Sequence, residues 1–353
     1  MVFEAAQRAY EEAGGLNPRT DVDAFISCQE DFWEGIAIAN EFMPDQLGGV
    51  FKPNYTVSGD SLQCLLNAYA MIKTGVFEVV VIESHGKPSE ILTMNDIIMF
   101  SYDPLYLRPL DPKNVFFLNG IEARSFMERE KLDREALGRY VISTLRKGLG
   151  NPRASYAAKK SLEEYLSEEY IIDPLSSSDI APFTDAAIVA VIASEEIARK
   201  LSDTPIWISG VWSSSGTPTP VYEDLSYDHL AREAGEKALR LAGVSNPRSE
   251  IDVVELDERF SFVPLMVLKA LGFTENLRSD LMNNDFDKWV NPFGGALSEG
   301  NPLEAHGLAR VLAAYELLKG VKRIRGYKDP EKILVHSRRW PYPRTTTIAV
   351  LSR

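Results

Sequence analysis

Apolar residues along this chain fall into two alternating patterns. Continuous β-branched runs such as EVVVIES (78–84) and DAAIVAVIAS (185–194) are typical of strands buried on both faces of a sheet. Stretches such as GDSLQCLLNAYAMIKTG (59–75) predict helices between them. Strands that alternate with helices indicate an α/β architecture. The other predicted strands are 23–27, 205–210, 251–256, 333–337 and 345–352, and the other predicted helices are about 134–148, 155–169 and 303–320.

The chain contains an internal repeat. Residues 3–23, FEAAQRAYEEAGGLNPRTDVD, align without a gap with residues 232–252, REAGEKALRLAGVSNPRSEID. Each copy predicts a helix with a small-residue face, a glycine that ends it, a proline turn and then a strand. A length of 353 residues also suggests two packed units rather than one core. We therefore expect a tandem duplication of one α/β unit.

The two copies differ ahead of their first helix. The strand PIWISG (205–210) precedes the second-copy helix, and nothing comparable precedes the helix that starts at residue 2. Because a sheet without that strand would expose unpaired backbone groups, we expect a strand and loop ahead of residue 2 in the natural chain. The resulting domain prediction is an N-terminal half at 1–95 and 176–200, an inserted cap subdomain at 96–175 and a C-terminal half at 201–353.

Composition excludes several classes of function. The formal charge is −13 and the pI about 5.0, so an acidic surface makes nucleic-acid binding unfavourable. No apolar run is long enough to cross a membrane, and no histidine or cysteine spacing suggests a metal site. Two cysteines, Cys28 and Cys64, do not make a disulfide framework, and we expect core thiols in a reducing cytoplasm.

The segment NPFGGALSEGNPLEAHG (291–307) is built to bring backbone close to a ligand. Its shape-determining residues are Gly294, Gly295, Gly300 and Pro302. Its one strong acid/base candidate, His306, lies five residues beyond Asn301. The pattern therefore leaves open whether this is a catalytic loop or only the shape of one.

These motifs, in this order, resemble those of thiolases. The paired halves, the NPFGGA loop and the helix 59–75 carry the resemblance, and so do NPRASYAAKK (151–160) and DIAPFTDAAIVAVIAS (179–194). DFWEGIAIANEFMPDQLGG (31–49) resembles the archaeal branch of the sterol-carrier or nonspecific lipid-transfer type. The resemblance implies a layered αβαβα fold of two duplicated halves.

The resemblance also implies chemistry on coenzyme A thioesters. Thiolases form or cleave carbon–carbon bonds between acyl groups, with the thioester as substrate and no covalently bound cofactor. Family members form homodimers or homotetramers, and archaeal relatives assemble with a small zinc-ribbon and OB-fold partner. The expected setting is cytoplasmic lipid metabolism, without membrane or nucleic-acid contact.

All four family catalytic positions are substituted in this chain. The nucleophilic cysteine at a helix start falls on Ser58, and the oxyanion-hole residue falls on Asp257. The histidine of the family's Gly-His-Pro turn falls on Asn301. The second cysteine, which moves a proton, falls on His336 or Ser337. By this resemblance, the loop keeps the glycines and the proline that set its shape, and asparagine replaces the histidine base.

Several substitutes remain open. Ser58 acts as a nucleophile if His85 or His336 lies nearby, or it caps a helix that begins at residue 59 or 60. Asp257 and Glu258 form an acid/base pair or salt bridges to Arg259 or Arg338. Tyr342 handles a proton near His336, as in thiolase-like retro-aldolases, or it is a stacked interface aromatic.

The residues that could bind coenzyme A also have a functional and a purely structural interpretation. Lys87 and Arg338, with Arg339, either hold phosphates or are solvated surface. Three functions follow: an acetyl-CoA acetyltransferase-type enzyme impaired in standard thiolysis, a non-catalytic acyl-CoA-binding subunit, or a retro-aldolase acting on a β-hydroxyacyl-CoA.

Overall fold

The computed structural model describes residues 1–33, 39–110, 113–217, 220, 223–342 and 345–353. Residues 34–38, which belong to the segment 31–49 that resembles the archaeal branch, therefore lie outside the described residues. The strands are β1 Ala24–Cys28, β2 Asn54–Val57, β3 Val79–Gly86, β4 Tyr170–Ile172, β5 Leu175–Ser176, β6 Ala186–Ala193, β7 Trp207–Ser215, β8 Val253–Glu255, β9 Lys332–Arg338 and β10 Thr345–Ser352.

Fifteen α-helices lie in this part of the chain. They are α1 Val2–Glu12, α2 Pro18–Asp21, α3 Ala39–Leu47, α4 Leu62–Lys73, α5 Met94–Ser101, α6 Phe117–Glu130, α7 Arg134–Gly148, α8 Leu162–Leu166, α9 Glu195–Leu201, α10 His229–Leu241, α11 Pro247–Glu250, α12 Phe262–Ala270, α13 Leu277–Asn283, α14 Gly295–Glu299 and α15 His306–Leu318. None of the described helices is long and apolar enough to span a bilayer.

Two four-stranded sheets are built to the same plan. The first has the order β2-β1-β3-β6 and the second β7-β10-β9-β8, and a separate pair joins β4 to β5. In the first sheet β1 is parallel to β2 and β3, while β6 is antiparallel to β3. In the second β8 is parallel to β9, and β10 is antiparallel to both of its neighbours. The predicted α/β fold of two similar halves is confirmed.

Helices separate and cover the sheets. The helices α4 and α15 contact each other, and between them they contact strands of both sheets, so they form a middle layer. The helix α1 packs on β6 and β3 of the first sheet, and α10 packs on β7 and β10 of the second. The succession of layers is the αβαβα arrangement that the thiolase resemblance implies.

The repeat predicts its local structure correctly. Both α1 and α10 end ahead of a glycine in the left-handed region, Gly14 at φ 76° and Gly243 at φ 67°, where a residue without a Cβ is favoured. Each copy then has a proline-initiated turn of helix, α2 and α11, with asparagine as N-cap. A strand follows in both copies, β1 and β8.

Two helix boundaries in the sequence prediction are wrong. The helix predicted at 155–169 shrinks to α8, because Ser161 accepts a hydrogen bond from the Glu164 N–H in a capping box that begins the helix there. Helix α4 begins at Leu62 rather than at residue 59 or 60. The helix predicted at 134–148 coincides with α7.

The prediction of two separate core thiols is also wrong. Cys28 at the end of β1 and Cys64 in α4 form a disulfide, with their Cα atoms 6.0 Å apart. Helical rotation turns Cys64 away from the face of Ser58, and α4 packs against β1, so the thiol meets Cys28. Cysteine usage therefore does not support a reducing compartment.

Candidate functional site

The candidate site lies where the carboxyl ends of β1, β8 and β9 meet the first residues of α4 and α15. Two bonds join these helix starts across the halves. The Ser61 N–H donates to the Glu304 carbonyl at 2.9 Å, and the Leu308 N–H donates to Ser61 Oγ at 2.8 Å. Ligands of open α/β sheets bind at such strand ends, which makes this the place to look for chemistry.

Ser58 is exposed on the approach to α4. No hydrogen bond to Ser58 occurs within the described ranges, so neither His85 nor His336 activates it there. The predicted capping role is wrong as well. Asp60 Oδ1 accepts the Leu62 N–H at 3.0 Å, and Ser61 is the N-cap residue.

Asp257 is buried in an ion pair rather than poised as an acid or base. The Arg259 guanidinium donates to both of its carboxylate oxygens, and the Arg338 N–H donates to Oδ2 at 3.2 Å. Burial raises the pKa of Asp257, but the surrounding charges and hydrogen bonds, those of Arg259 foremost, together outweigh burial and hold the pKa well below the usual range. Glu258 turns away and accepts from Tyr140 and Thr144, so Asp257 and Glu258 do not form a catalytic pair.

Arg259 occupies the centre of the cluster. It is 2% exposed, donates to the Arg338 carbonyl and lies 3.6 Å from Asp60 Oδ2. Asp60 is the residue that sequence analysis missed. Burial raises the pKa of Asp60 to about 7, although the Arg259 charge opposes that shift. In the sequence, an aspartate that follows a glycine indicates only the start of a helix. Nothing in the sequence therefore marked Asp60 as a site residue.

Two neutral histidines complete the cluster. Burial lowers the pKa of His306 and of His336 to about 3 in each case, so both imidazoles are uncharged at neutral pH. His306 Nε2 lies 3.5 Å from Asp257 Oδ1, and His336 Nδ1 accepts the Asp257 N–H at 3.4 Å. A base with so low a pKa holds a proton poorly at pH 7.

The retained loop residues contact protein rather than open space. Asn301 Oδ1 accepts the Leu303 N–H at 3.1 Å, and its backbone pairs with residues 182 and 184. A Cβ at Gly300 would lie 2.6 Å from the Thr184 Cβ, and one at Gly294 would lie 2.7 Å from the Gly148 Cα. A Cβ at Gly295 would collide with the Glu258 carboxylate. These glycines therefore permit close packing.

The residues expected to hold coenzyme A phosphates do not converge. Both Nη atoms of Arg338 bond to Glu122, at 2.8 and 3.0 Å, and Arg338 is buried. Neither prediction for Arg338, a phosphate ligand or solvated surface, describes this buried pair. Lys87 forms an exposed ion pair with Glu90, and Arg339 pairs with Glu30.

The remaining predicted residues, Ser337 and Tyr342, are buried. Tyr342 belongs to the large apolar cluster that also contains Trp33 and Trp340, whose rings stack 5.4 Å apart. The geometry therefore gives Tyr342 a packing environment, and its proton-handling role stays a prediction.

A cavity of about 10 Å³ is what remains between these groups. Its lining includes Glu30, Asp60, Arg259, Glu304 and Arg339. That volume is about enough for one water molecule, and the buried Arg259 forms part of its wall. Among the described residues no group of three or more His, Cys, Asp or Glu side chains could hold a metal ion.

Comparison with known proteins shows similarity to thiolases. Residues 226–326 match the family model of the thiolase C-terminal domain. The chain is 26% identical over 227 residues to an acetyl-CoA acetyltransferase of Methanothermobacter thermautotrophicus, which covers 62% of this chain and 59% of that protein. It is 27% identical over 253 residues to sterol carrier protein 2 of Gallus gallus, covering 68% of this chain and 45% of that protein.

Two solved structures share the fold along 99% of this chain and 91% of theirs. The Ltp2-ChsH2(DUF35) aldolase superposes with a TM-score of 0.83 at 22% identity. Human mitochondrial 3-ketoacyl-CoA thiolase superposes with a TM-score of 0.74 at 17% identity. The chain has the thiolase fold, and the sequence matches support its place in the thiolase superfamily. They span only about half to three-fifths of the curated relatives' length.

Proposed function

We propose that this protein binds an acyl-CoA thioester on a thiolase fold and does not carry out standard thiolysis. The observation that carries the proposal is the buried Arg259–Asp257 ion pair, which fills the space beside the positions expected to be catalytic. The protein then acts as the non-catalytic subunit of an acyltransferase assembly.

The chemistry of the site supports this proposal. Thiolysis needs a nucleophile with a base beside it, and Ser58 is exposed without a hydrogen bond to any described group. Asn301 cannot accept a proton at neutral pH. The two histidines are buried with a pKa of about 3, and His306 faces Asp257 rather than Ser58.

The relatives support the ligand class and the assembly. An acetyl-CoA acetyltransferase and a 3-ketoacyl-CoA thiolase are both named for coenzyme A thioesters. The aldolase is named as a complex with a DUF35 protein. We therefore propose a homodimer or homotetramer that docks a small zinc-ribbon and OB-fold partner.

Thiolysis of acetoacetyl-CoA by added coenzyme A, followed as loss of the substrate's absorbance, tests the activity. Calorimetric titration with acetyl-CoA tests the ligand, with Ser58→Ala as the matched variant. We expect binding by both proteins and turnover by neither. Turnover that disappears in Ser58→Ala would establish a serine-based enzyme, and absence of binding in folded protein would remove the acyl-CoA ligand.

A second candidate is the cleavage of a β-hydroxyacyl-CoA by retro-aldol chemistry. Asp60 favours it, because its carboxyl lines the small cavity and burial raises its pKa to about 7, a suitable value for a general base. The ionised carboxylate would take the β-hydroxyl proton. The Cα–Cβ bond would break to give a carbonyl compound and an acyl-CoA enolate, which would then take up a proton.

Incubation with 3-hydroxybutyryl-CoA and detection of acetaldehyde with acetyl-CoA tests this candidate. Equimolar products from the wild-type protein, lost in Asp60→Asn, would support it. If the products are absent, or persist in Asp60→Asn, Asp60 is not the base of a lyase.

A further inference from the structure

The small cavity beside Arg259 has an unusually polar wall for a buried space. Its volume is about 10 Å³, and its lining includes the carboxyl groups of Glu30 and Asp60, the guanidinium groups of Arg259 and Arg339, and the indole of Trp340. The Glu30, Asp60 and Trp340 residues are each at least nine-tenths buried. A polar cavity of this size suits one water molecule and is too small for a larger ligand.

Two of the lining side chains each have a polar atom without a protein partner. Asp60 Oδ2 and Trp340 Nε1 are buried and make no hydrogen bond to any described group. The Arg259 guanidinium lies 3.6 Å from Asp60 Oδ2, which is too far for a hydrogen bond. The Ser337 hydroxyl lowers the pKa of Asp60 but makes no hydrogen bond of normal geometry. Because buried polar atoms are nearly always bonded to protein or to ordered water, both atoms require a partner.

The Trp340 ring is fixed by its aromatic neighbours. It stacks on Trp33 with ring centroids 5.4 Å apart, and its centroid lies 5.8 Å from that of Phe183 in an edge-to-face contact. Rotation of the ring towards another acceptor would break both contacts, each of which stabilises the fold. The indole N–H therefore has to find its acceptor where the ring now lies, at the cavity.

Glu30 lies between the cavity and the protein surface. Its Oε1 pairs with Arg339, whose side chain is 40% exposed, and its Oε2 makes no hydrogen bond to any described group. Burial raises the pKa of Glu30, although Arg339 opposes that shift. Glu30 is therefore a second carboxyl group on the same cavity, closer to solvent than Asp60 and able to carry a proton.

The lining selects for water over an ion. An indole N–H can only donate a hydrogen bond, and an ionised carboxylate can only accept one. A cation in the cavity would face the Trp340 N–H and the Arg259 charge, and an anion would face Glu30 and Asp60. Water both donates and accepts, so it can satisfy all of these groups together.

We propose that the cavity binds one water molecule, which accepts a hydrogen bond from Trp340, donates to Asp60 and Glu30, and carries the proton of Asp60 to Glu30. The protonated Asp60 carboxyl gives its proton to the water, and the water gives one of its own protons to the Glu30 carboxylate. Each O–H bond that forms is matched by one that breaks, and the water is regenerated. The proposal concerns the protein without ligand, so its outcome is independent of both candidate activities.

Nuclear magnetic resonance of protein with ¹⁵N-labelled tryptophan tests the bound water. We expect a cross-peak between water and the Trp340 indole hydrogen, with the sign that a tightly bound water gives. Loss of that indole signal in Trp340→Phe assigns it. Trp289 is the internal control, because its Nε1 already donates to the Asp285 carbonyl at 2.7 Å, and it should give no such peak. Absence of the Trp340 peak in folded protein, or equal peaks at both indoles, would overturn the proposal.

The variant Asp60→Asn separates the water from the acid proton of Asp60. Asparagine keeps an acceptor and has no acidic proton that could transfer magnetisation from bulk water, so the cross-peak should persist. In the wild-type protein the Trp340 indole signal should also shift with pH around the Asp60 pKa of about 7, and this shift should vanish in Asp60→Asn. A cross-peak lost in Asp60→Asn, or a pH shift retained there, would contradict a water shared by Trp340 and Asp60.

The role of Glu30 is tested by the rate at which Asp60 exchanges its proton. Relaxation dispersion of the Trp340 indole signal near pH 7 measures that rate. Glu30→Gln keeps the side-chain volume and removes the proton carrier, and we expect it to slow the exchange at least about tenfold. Arg339→Gln breaks the same ion pair but leaves the Glu30 carboxyl, and it should keep the wild-type rate.

A second control is Glu236→Gln, which removes an exposed carboxylate that pairs with Arg232 on another part of the molecule. It should also leave the exchange rate unchanged. Equal rates in the wild-type protein and Glu30→Gln would overturn the transfer of the proton to Glu30. Equal slowing in Glu30→Gln and Arg339→Gln would assign the effect to the ion pair and would likewise contradict the proposal.

Discussion

The carboxyl ends of β1 and β8 occupy equivalent places in the two halves but are held by different chemistry. In the repeat, Cys28, Gln29 and Glu30 correspond to Asp257, Glu258 and Arg259. The first end is bonded covalently to α4 through Cys28. The second is held by the buried pair of Asp257 with Arg259.

The neighbouring positions differ in the same way. Gln29 donates to the backbone and ring of His85, each at 2.7 Å, so it fastens β1 to β3. Glu258 accepts from two residues of α7, so it fastens β8 to that helix. Two sheets with the same geometry can therefore have different stabilising contacts at equivalent strand ends. In this protein both ends serve cohesion.

The largest expected effect on stability comes from removing the ion pair at the end of β8. Arg259→Ala leaves Asp257 buried without its main counter-charge, and we expect the free energy of unfolding to fall by about 3–5 kcal/mol. Urea denaturation measures it. Arg232→Ala, which removes the exposed i,i+4 pair with Glu236, is the matched control and should cost less than about 1 kcal/mol. Equal effects in the two variants would contradict the assigned role of Arg259.

The disulfide at the end of β1 should contribute somewhat less to stability than the ion pair at the end of β8. Cys28 and Cys64 are 36 residues apart in sequence, and removal of a disulfide that closes such a loop typically costs about 2–4 kcal/mol. We expect Cys28→Ala/Cys64→Ala to lower the free energy of unfolding by that amount. Reductant should destabilise the wild-type protein and leave the double variant unaffected. Insensitivity of both proteins would show that the bond is absent in solution.

Asp60 and His306 should contribute to the free energy of unfolding with opposite dependence on pH. The pKa of Asp60 is raised to about 7, so the folded state binds its proton more tightly and this stability contribution falls as pH rises from about 4 to 7. The pKa of His306 is lowered to about 3, so its contribution is complete above pH 6.5 and is lost as pH falls towards 3. Each slope is at most about 1.4 kcal/mol per pH unit.

Unfolding free energies of the wild-type protein, Asp60→Asn and His306→Asn at a series of pH values measure these slopes. The wild-type minus Asp60→Asn difference should fall with rising pH, and the wild-type minus His306→Asn difference should rise. Other titrating groups, such as His336, are common to each pair and largely cancel. Slopes of the same sign would contradict the assigned protonation states.

The smallest effect is expected at Ser58, the position that the thiolase resemblance assigns to the nucleophile. Ser58 is exposed and makes no hydrogen bond in the described ranges, so Ser58→Ala should change the unfolding free energy by no more than about 0.5 kcal/mol. Asp60→Ala, which removes the acceptor of the Leu62 N–H, is the informative neighbour for comparison. A larger loss in Ser58→Ala than in Asp60→Ala would restore Ser58 as the cap.

Local patterns predicted the repeat and most of the strands, because buried strands and glycine-ended helices have short-range signatures. The order of layers followed from the thiolase resemblance. Local patterns could not choose the start of α4. Ser58, Asp60 and Ser61 all favour capping, and the choice depends on Ser61 bonding to residue 304 of the other half. The partner of Arg338 is Glu122, 216 residues away, and no local pattern reports such a pair.

The disulfide was missed for a similar reason. Cys28 and Cys64 each match a core position, and only the packing of α4 on β1 makes them partners. The cluster around Arg259 was visible in sequence as adjacent charges. Its closure could not be predicted, because that depends on how far β9 and the start of α15 approach the end of β8.

The loop at 291–307 joins the two halves of the molecule. Asn301 exchanges backbone bonds with residues 182 and 184, and a Cβ at Gly86 would collide with the Pro302 carbonyl. Close packing alone therefore accounts for the glycines at this seam. The sequence of this loop therefore reports the fold, and enzyme activity must be assigned from the side chains around it.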